Sequence, residues 1–500
     1  MIPLLLAFAC SNPPAVADTP HPPAAKAEVP PPTSSALVLT GPRPKNVLML
    51  SIDTLRRDHV SRYGNRASTP FLDGLLAKSV SLDRHRSCAN WTLAAVACVL
   101  SGRDHISMEY LPEITMGGDP DPAPAGIDFA DEILARHGYY TGRVTSNNFL
   151  KVDYGIGNPK DLVFEPRGRG ETISTDGLAM VDRAVASGKP WFVQIHYLDP
   201  HSPYYKQGER HPQDGTFDSY AMNPRKIPKS VWSGWSDAER DQLEAATRER
   251  YRGEVEFTDR VLAELWDELE KKRVLNDTLV VVWTDHGEQL WERGHVSHGY
   301  DLNSEESDAI AAFWARDLKP HAFTGATGHQ DILPTMLSLL GFESDIAAEK
   351  MTGLVVGTGP ANRATFTDDF SGQNSKMSVD RGNERLIYNW EGRLQFFDLA
   401  KDPGEKHDEL AGMARTDPAD PAFPANALAL WNLLWPRVGA LDELYAGITP
   451  VFPGKDPTAE QLAAPRDLRQ RGPDEMAQGG SGGGYGRGKA SGSGGRRRNF

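Results

Sequence analysis

Three stretches of the chain are apolar without alternation: 46–52 (NVLMLSI), 191–197 (WFVQIHY) and 278–284 (TLVVVWT). A strand covered on both faces has no wet side on which polar residues could alternate, so these runs predict buried strands of a parallel sheet. Between the second and third, residues 237–272 carry Glu, Arg and Leu at helical spacing and predict one long helix. Thr69-Pro70 predicts a shorter helix, with Thr69 as its cap and Pro70 in the first turn, where a missing N–H costs nothing. Its apolar face would be Phe71, Leu72, Leu75 and Leu76. Strands alternating with long helices predict an α/β fold built on a doubly wound, mostly parallel sheet over residues 45–360. A smaller C-terminal subdomain is expected over 361–467, with a short antiparallel sheet around 385–399.

Composition narrows the function classes. Five hundred residues, 39% hydrophobic and 24% charged, suffice for a large core in a soluble globular protein. Fifty-four basic against 68 acidic residues give a net charge of −14, which excludes a broad basic surface for nucleic acid. Three cysteines exclude a disulfide scaffold.

The ends differ from the middle. Residues 1–10 (MIPLLLAFAC) fall short of the ~20 apolar residues a spanning helix needs. They resemble the end of a bacterial lipoprotein signal with Cys10 as the lipidated residue, which predicts an exported protein, periplasmic or anchored to the membrane. Residues 11–44, rich in Pro and Ala, predict a semi-rigid linker. Residues 468–500, Gly and Ser with scattered Arg, predict a disordered tail.

In open α/β sheets ligands bind beyond the carboxyl ends of the strands. Asp53 directly follows the first run, Asp199 and His201 follow the second, and Asp285-His286-Gly287 follows the third. Three strand ends thus offer carboxylates and imidazoles to one crevice.

These residues belong to an ordered set of motifs that resembles the sulfatase family of the alkaline phosphatase superfamily. The set begins with NVLMLSIDTLRRDH from Asn46, Tyr63-Gly64 and TPFLDGL from Thr69. It continues with NWTL from Asn90 to LSGR ending at Arg103, and HYLDPHSPY from His196. TDHGE from Thr284, ERGHVSHG from Glu292, GHQDILPT from Gly328 and FDLAKDP from Phe397 complete it. The resemblance implies an alkaline-phosphatase-like sheet and a metal-dependent hydrolase or transferase acting on phosphate or sulfate esters.

One departure sets the expected chemistry. The family's Cys-x-Pro-x-Arg segment, whose first residue becomes formylglycine, aligns with Thr92, and Ala94 and Val96 replace its Pro and Arg. Thr92 resembles instead the nucleophilic threonine of the superfamily's phosphoryl-transferring branches. The resemblance then implies Thr92 as a metal-activated nucleophile, with a phosphoester preferred. It implies one divalent metal ion held by Asp53, Thr92, Asp285 and His286, Zn²⁺ or Mn²⁺ favoured and Ca²⁺ or Mg²⁺ as alternatives. His201 and His298 would contact the transferred group or the leaving oxygen. Arg103 and His105 fall where the family often places anion-binding groups. The substrate would be a small-molecule or cell-envelope ester.

Several residues carry weaker expectations. His196 could supply part of a second metal's ligands, but no Asp-x-x-x-His follows the second run, so one metal is expected. Thr54 stands where many sulfatases have a second aspartate. Asn147 and Asn148 either line the crevice or are ordinary loop residues. His329 and Asp331 read as structural, and Cys88 and Cys98 as small buried apolar residues. Two alternatives stand beside the main reading: a sulfuric ester hydrolase working without formylglycine, and a metal-binding pseudoenzyme at the cell surface.

Overall fold

The strands of the chain, in order, are β1 (Asn46–Ile52), β2 (Val80–Arg86), β3 (Tyr140–Thr145), β4 (Asp161–Phe164), β5 (Trp191–Tyr197), β6 (Thr278–Thr284), β7 (Gln289–Leu290), β8 (Val296–Ser297), β9 (Ala311–Trp314), β10 (His321–Gly328), β11 (Thr365–Asp369), β12 (Lys376–Arg381), β13 (Glu384–Asn389) and β14 (Leu394–Asp398). The structure is a computed structural model that describes residues 36–444 and 453, apart from 65, 111, 113–119, 121, 207, 209, 370–374 and 414–415. The expected lipidation site at Cys10, most of the 11–44 linker and the 468–500 tail lie outside the described residues.

Eight strands form the main sheet in the order β10-β2-β9-β6-β1-β5-β3-β4. All run parallel except β9, which is antiparallel to both β2 and β6. The three apolar runs are β1, β5 and β6, side by side at the centre and buried at every residue. Their lack of alternation has the expected cause. Val47 and Met49 of β1 pack on one side with the all-buried helix Thr92–Ser101 and the helix Ile332–Leu340. Leu48, Leu50 and Ile52 pack on the other with the helices Pro70–Ala77, Gly170–Ala186 and Asp237–Lys271.

The long helix spans Asp237–Lys271, capped by Ser236 in a box with Glu239. The helix Pro70–Ala77 starts where expected, but its cap differs. Thr69 makes no side-chain cap bond; its Oγ1 accepts from the Ser61 N–H at 2.9 Å. The first-turn N–H groups of Phe71 and Leu72 donate instead to Asp259, at 3.0 and 2.8 Å. A distant carboxylate thus does what the local hydroxyl was expected to do.

Packing begins before residue 45: Ala36 is buried, Leu39 bridges to Leu318, and Arg43 donates to the carbonyl of Ser338. The C-terminal antiparallel sheet has four strands, β11-β12-β13-β14, and so begins twenty residues before the expected stretch. The helix Ala425–Leu444 covers it, with Trp431 5.6 Å from the Tyr388 ring. No helix among the described residues is long and apolar enough to cross a membrane.

Candidate active site

The carboxyl ends of four neighbouring parallel strands deliver the site. Asp53 follows β1, Asn147 follows β3, His196 lies near the end of β5, and Asp285 and His286 follow β6. Thr92 arrives at the start of the helix after β2. Its Oγ1 lies 3.4 Å from Asp53 Oδ2, 3.4 Å from His286 Nε2 and 3.4 Å from Asn147 Nδ2. Asn147 also donates to Asp53 Oδ2 at 2.6 Å. His196 Nε2 stands 3.2 Å from the same oxygen, its other ring nitrogen 2.9 Å from Ser51 Oγ. Asp285 Oδ1 accepts the backbone N–H groups of Thr54 and His286, at 3.0 and 2.8 Å. His286 Nδ1 faces the Gly287 carbonyl at 2.9 Å and must donate to it, so Nε2 keeps its lone pair toward Thr92.

The donor set fits a divalent cation. Asp53, His196 and Asp285 each present a ligand atom within 4.8 Å of the others, all buried. Asp53 Oδ1 and Asp285 Oδ2 are buried and accept no hydrogen bond. Orphaned carboxylate oxygens at zero exposure are costly unless a cation meets them. Burial, then the charge of Asp53, pushes the Asp285 carboxyl up to about 6. Burial also raises Asp53, but the hydrogen bond from His196 and the nearby imidazoles His201, His196 and His286 hold it well below the carboxylate range. Carboxylate oxygens with imidazole and hydroxyl suit Zn²⁺ or Mn²⁺. His196, expected only as part of a second set, stands in this one beside Asp53.

A second group adjoins the first. The His298 ring lies 4.5 Å from that of His286 and 5.1 Å from that of His201. Glu288 Oε1 approaches His298 Nδ1 at 3.3 Å. Burial pushes Glu288 up and His201 down, which keeps the His201 ring neutral. His201 Nδ1 faces the Ser202 carbonyl at 2.5 Å, so its lone pair is on Nε2.

The structure does not bring Arg103 to this place. It follows the far end of the ten-residue helix that starts at Thr92, roughly 15 Å along the axis at ~1.5 Å per residue. Its guanidinium stands 4.0 Å from Glu349. Gly102 forces the chain to turn there, at φ +67°, where a Cβ would lie 2.8 Å from Met351 Sδ. His329 and Asp331 are structural, as read. His329 bonds the Thr284 carbonyl at 3.0 Å, and Asp331 accepts the N–H groups of Gly328 and Leu354.

Cys88 and Cys98 are buried, as expected, but they are bonded to each other. The bridge closes a ten-residue separation that contains Thr92. His105 lies against it, Nε2 3.3 Å from Cys98 Sγ, with Nδ1 3.0 Å from Asp368 Oδ2. His105 therefore supports this bridge and not an anion. Because the bond mainly constrains the unfolded chain, the double variant Cys88→Ala/Cys98→Ala is expected to lose about 2–3 kcal/mol in denaturant unfolding. A midpoint within error of the wild type would contradict this.

Behind His201 one guanidinium serves two buried carboxylates. Arg169 pairs with Asp199 at 2.7 Å and with both oxygens of Glu254 at 3.0 and 2.9 Å. Burial outweighs the shared cation and raises Glu254 to about 8. The folded protein thus keeps a proton that the unfolded chain gives up near the ordinary glutamate value, so stability falls as pH rises from about 4.5 to 8. Glu254→Gln is expected to flatten this fall by on the order of 1–2 kcal/mol between pH 6 and pH 8. Denaturant unfolding at the two pH values measures it, and an undiminished slope would refute it.

The Thr92 hydroxyl thus stands among one acid, one imidazole and one amide, at the carboxyl ends of a doubly wound sheet. A sequence profile of the sulfatase family matches residues 45–342, and the chain belongs to that family. It is 22% identical over 444 residues to human (Homo sapiens) arylsulfatase A, covering 75% of this chain and 85% of that one. Choline-sulfatase of Rhizobium meliloti is 23% identical over 239 residues, 44% of this chain, which spans only 46% of that relative. The phosphatidylethanolamine transferase Mcr-2 of Escherichia coli is 25% identical over 334 residues, 62% of this chain and 55% of that protein. The fold is similar to that of a phosphonate monoester hydrolase from Silicibacter pomeroyi, with a TM-score of 0.57, 17% identity, and 80% and 96% of the two chains covered. Members of the sulfatase family are ester hydrolases or transferases.

Sequence reasoning underused Asn147 and His196 and missed Glu288 as a site residue. Asn147 obeys the same rule as Asp53, a polar residue just past the end of an inner parallel strand. Glu288 lies inside the TDHGE motif, where the carboxyl-end rule marks only Asp285 and His286.

Proposed function

We propose that this chain is a metal-dependent hydrolase or transferase that acts on phosphate or sulfate esters, phosphoesters preferred, with Thr92 as nucleophile. The observation that carries the reading is the Thr92 hydroxyl, 3.4 Å from both Asp53 and His286 where the resemblance expects the nucleophile. Asp53, Thr92, Asp285 and His286, with His196 beside them, would hold the cation. When bound, the cation supplies positive charge that acidifies the Thr92 hydroxyl and draws electron density from the ester's oxygens.

The chain's own residues do the rest. Thr92 Oγ1 points its proton at Asp53 Oδ2, and Asn147 Nδ2 fixes the geometry of both oxygens. Attack forms the Thr92 Oγ–P bond and breaks the bond from phosphorus to the leaving oxygen. Glu288 beside Nδ1 orients the His298 ring, whose Nε2 would give that oxygen its proton. Neutral His201 then accepts a proton from the water or alcohol that cleaves the Thr92 ester. A hydroxyl nucleophile supports phosphoester over sulfate ester, because a sulfated threonine would be a stable end product.

The similarity to a phosphatidylethanolamine transferase favours a small-molecule or cell-envelope ester as substrate. A buried disulfide favours an oxidising compartment, in keeping with export and a lipid anchor at Cys10. Nitrophenyl phosphate, bis-nitrophenyl phosphate and nitrophenyl sulfate, offered after chelation and again with Zn²⁺, Mn²⁺, Ca²⁺ or Mg²⁺, test the reading. Phosphoester cleavage restored by Zn²⁺ or Mn²⁺ is expected. Sulfate cleaved faster than both phosphoesters, or turnover untouched by chelation, would overturn it.

A further inference from the structure

Three segments carry Thr92, Glu288 and His298, and one residue outside them meets all three. Glu306 lies on the one-turn helix Ser304–Ser307 and is fully buried. Its Oε2 accepts the Gly299 N–H at 2.7 Å, the Tyr300 N–H at 3.1 Å and the Asn90 amide at 3.2 Å. Its Oε1 accepts the Asp301 N–H at 3.0 Å and the Gln289 amide at 2.8 Å. Its backbone carbonyl accepts the N–H of Gly287 at 2.8 Å. The residues so held adjoin His298, stand two before Thr92, and flank Glu288 on both sides.

Strand pairing leaves His298 to this carboxylate. The hairpin β7-β8 joins Gln289 to Ser297 and ends there. His298 follows between Ser297 and Gly299, whose φ angles of +84° and +81° turn the chain on both sides of it. Three successive N–H groups, those of residues 299 to 301, then converge on Glu306 and set where the His298 backbone lies. The short helix is anchored in turn by the C-terminal part of the chain. Glu405 accepts the Ser304 N–H at 2.7 Å and the Asn303 amide at 3.0 Å, and Arg385 pairs with Glu405 at 2.9 Å. Burial and the charge of Asp301 push the Glu306 carboxyl up, against the N–H donors that face it. Backbone N–H groups meet both of its oxygens, so an amide in its place would set NH₂ against N–H at one end.

We propose that Glu306 is the positioning residue that sets His298, in register with Thr92, against the leaving oxygen of the substrate. This rests on the reading of Thr92 as nucleophile and His298 as proton donor. Glu306 acts through the N–H groups it holds and takes no part in bond making. With His298 displaced, Thr92 still attacks phosphorus, but the leaving oxygen departs without the proton that His298 Nε2 gives it. The loss therefore grows with the basicity of the leaving alcohol.

The test compares kcat for phenyl phosphate and dinitrophenyl phosphate on the Zn²⁺- or Mn²⁺-loaded protein, since phenolate is the more basic leaving group and gains more from the proton. Glu306→Gln is expected to lower kcat for phenyl phosphate about 10-fold or more beyond its effect on dinitrophenyl phosphate. Glu306→Asp keeps both oxygens and should show a smaller split in the same sense; it decides the outcome if the glutamine variant does not fold. Both esters are read on one sample, so a lost folded fraction cancels, and a purely structural role gives equal losses. Equal losses overturn the proposal. His298→Ala reads the acid separately: it should show the same split, and Glu306→Gln should add little to it on phenyl phosphate. A split in His298→Ala with none in the Glu306 variants sinks the positioning role alone. No split in His298→Ala sinks the reading of the acid, and the proposal with it.

Discussion

Thr92→Ala is expected to lower phosphoester turnover by at least about 10⁴-fold while the protein unfolds within a few degrees of the wild type. Such a loss amounts to about 5.5 kcal/mol of transition-state stabilisation. The fold should not register it. Thr92 opens a helix, where alanine is the better helix former, and its hydroxyl makes only contacts of 3.4 Å. Thr92→Ser keeps the hydroxyl and is expected to retain turnover within roughly 100-fold. Steady-state kinetics with thermal unfolding on the same samples measure both. Thr92→Ala working at a tenth of the wild-type rate would remove it as nucleophile.

Asp285→Asn is expected to weaken cation binding at least about 1,000-fold, near 4 kcal/mol, and yet to make the cation-free protein no less stable. Asn keeps the shape and still accepts the N–H groups of Thr54 and His286 at its remaining oxygen. It removes a buried charge that burial and Asp53 already disfavour. Because Asp285 is raised to about 6, its ionisation destabilises the cation-free fold as pH rises toward and past 6. The same protonation competes with the cation, so wild-type affinity should fall as pH drops below 6. Calorimetric titration with Zn²⁺ or Mn²⁺ at pH 5 and 7, with unfolding of the cation-free forms, separates the two effects. A variant that loses stability and affinity together would mean Asp285 is structural.

The elements that sequence revealed were those whose cause is local. Runs 46–52, 191–197 and 278–284 are apolar throughout because both faces are covered, and they are β1, β5 and β6 to the residue. The rule of carboxyl ends pointed to Asp53, His201, Asp285 and His286, and the family resemblance implied Thr92 and His298. What escaped depends on partners far along the chain. The cap of the helix at Pro70 is Asp259, and β2, with Arg84, His85 and Arg86 in its last turns of pleat, reads as polar because later segments neutralise it. The antiparallel β9, four residues long, gives too short a pattern to fix its direction. Arg103 follows Thr92 closely in sequence, but a straight helix carries it away. Cys88 and Cys98 look apolar in isolation, and only the turn from β2 into that helix brings them together.

The centre of the sheet carries a consequence for the order of assembly. Ser51 meets His196 across 145 residues of chain, and Thr54 meets Asp285 across 231. The strand that supplies Asp53 is therefore the first made and among the last enclosed, since its neighbours on both sides are synthesised long after it. Loops of such length close slowly. No partial chain ending before β6 can gather both acids, so an affinity for a divalent cation would report the docking of β6 beside β1 and no earlier stage of assembly.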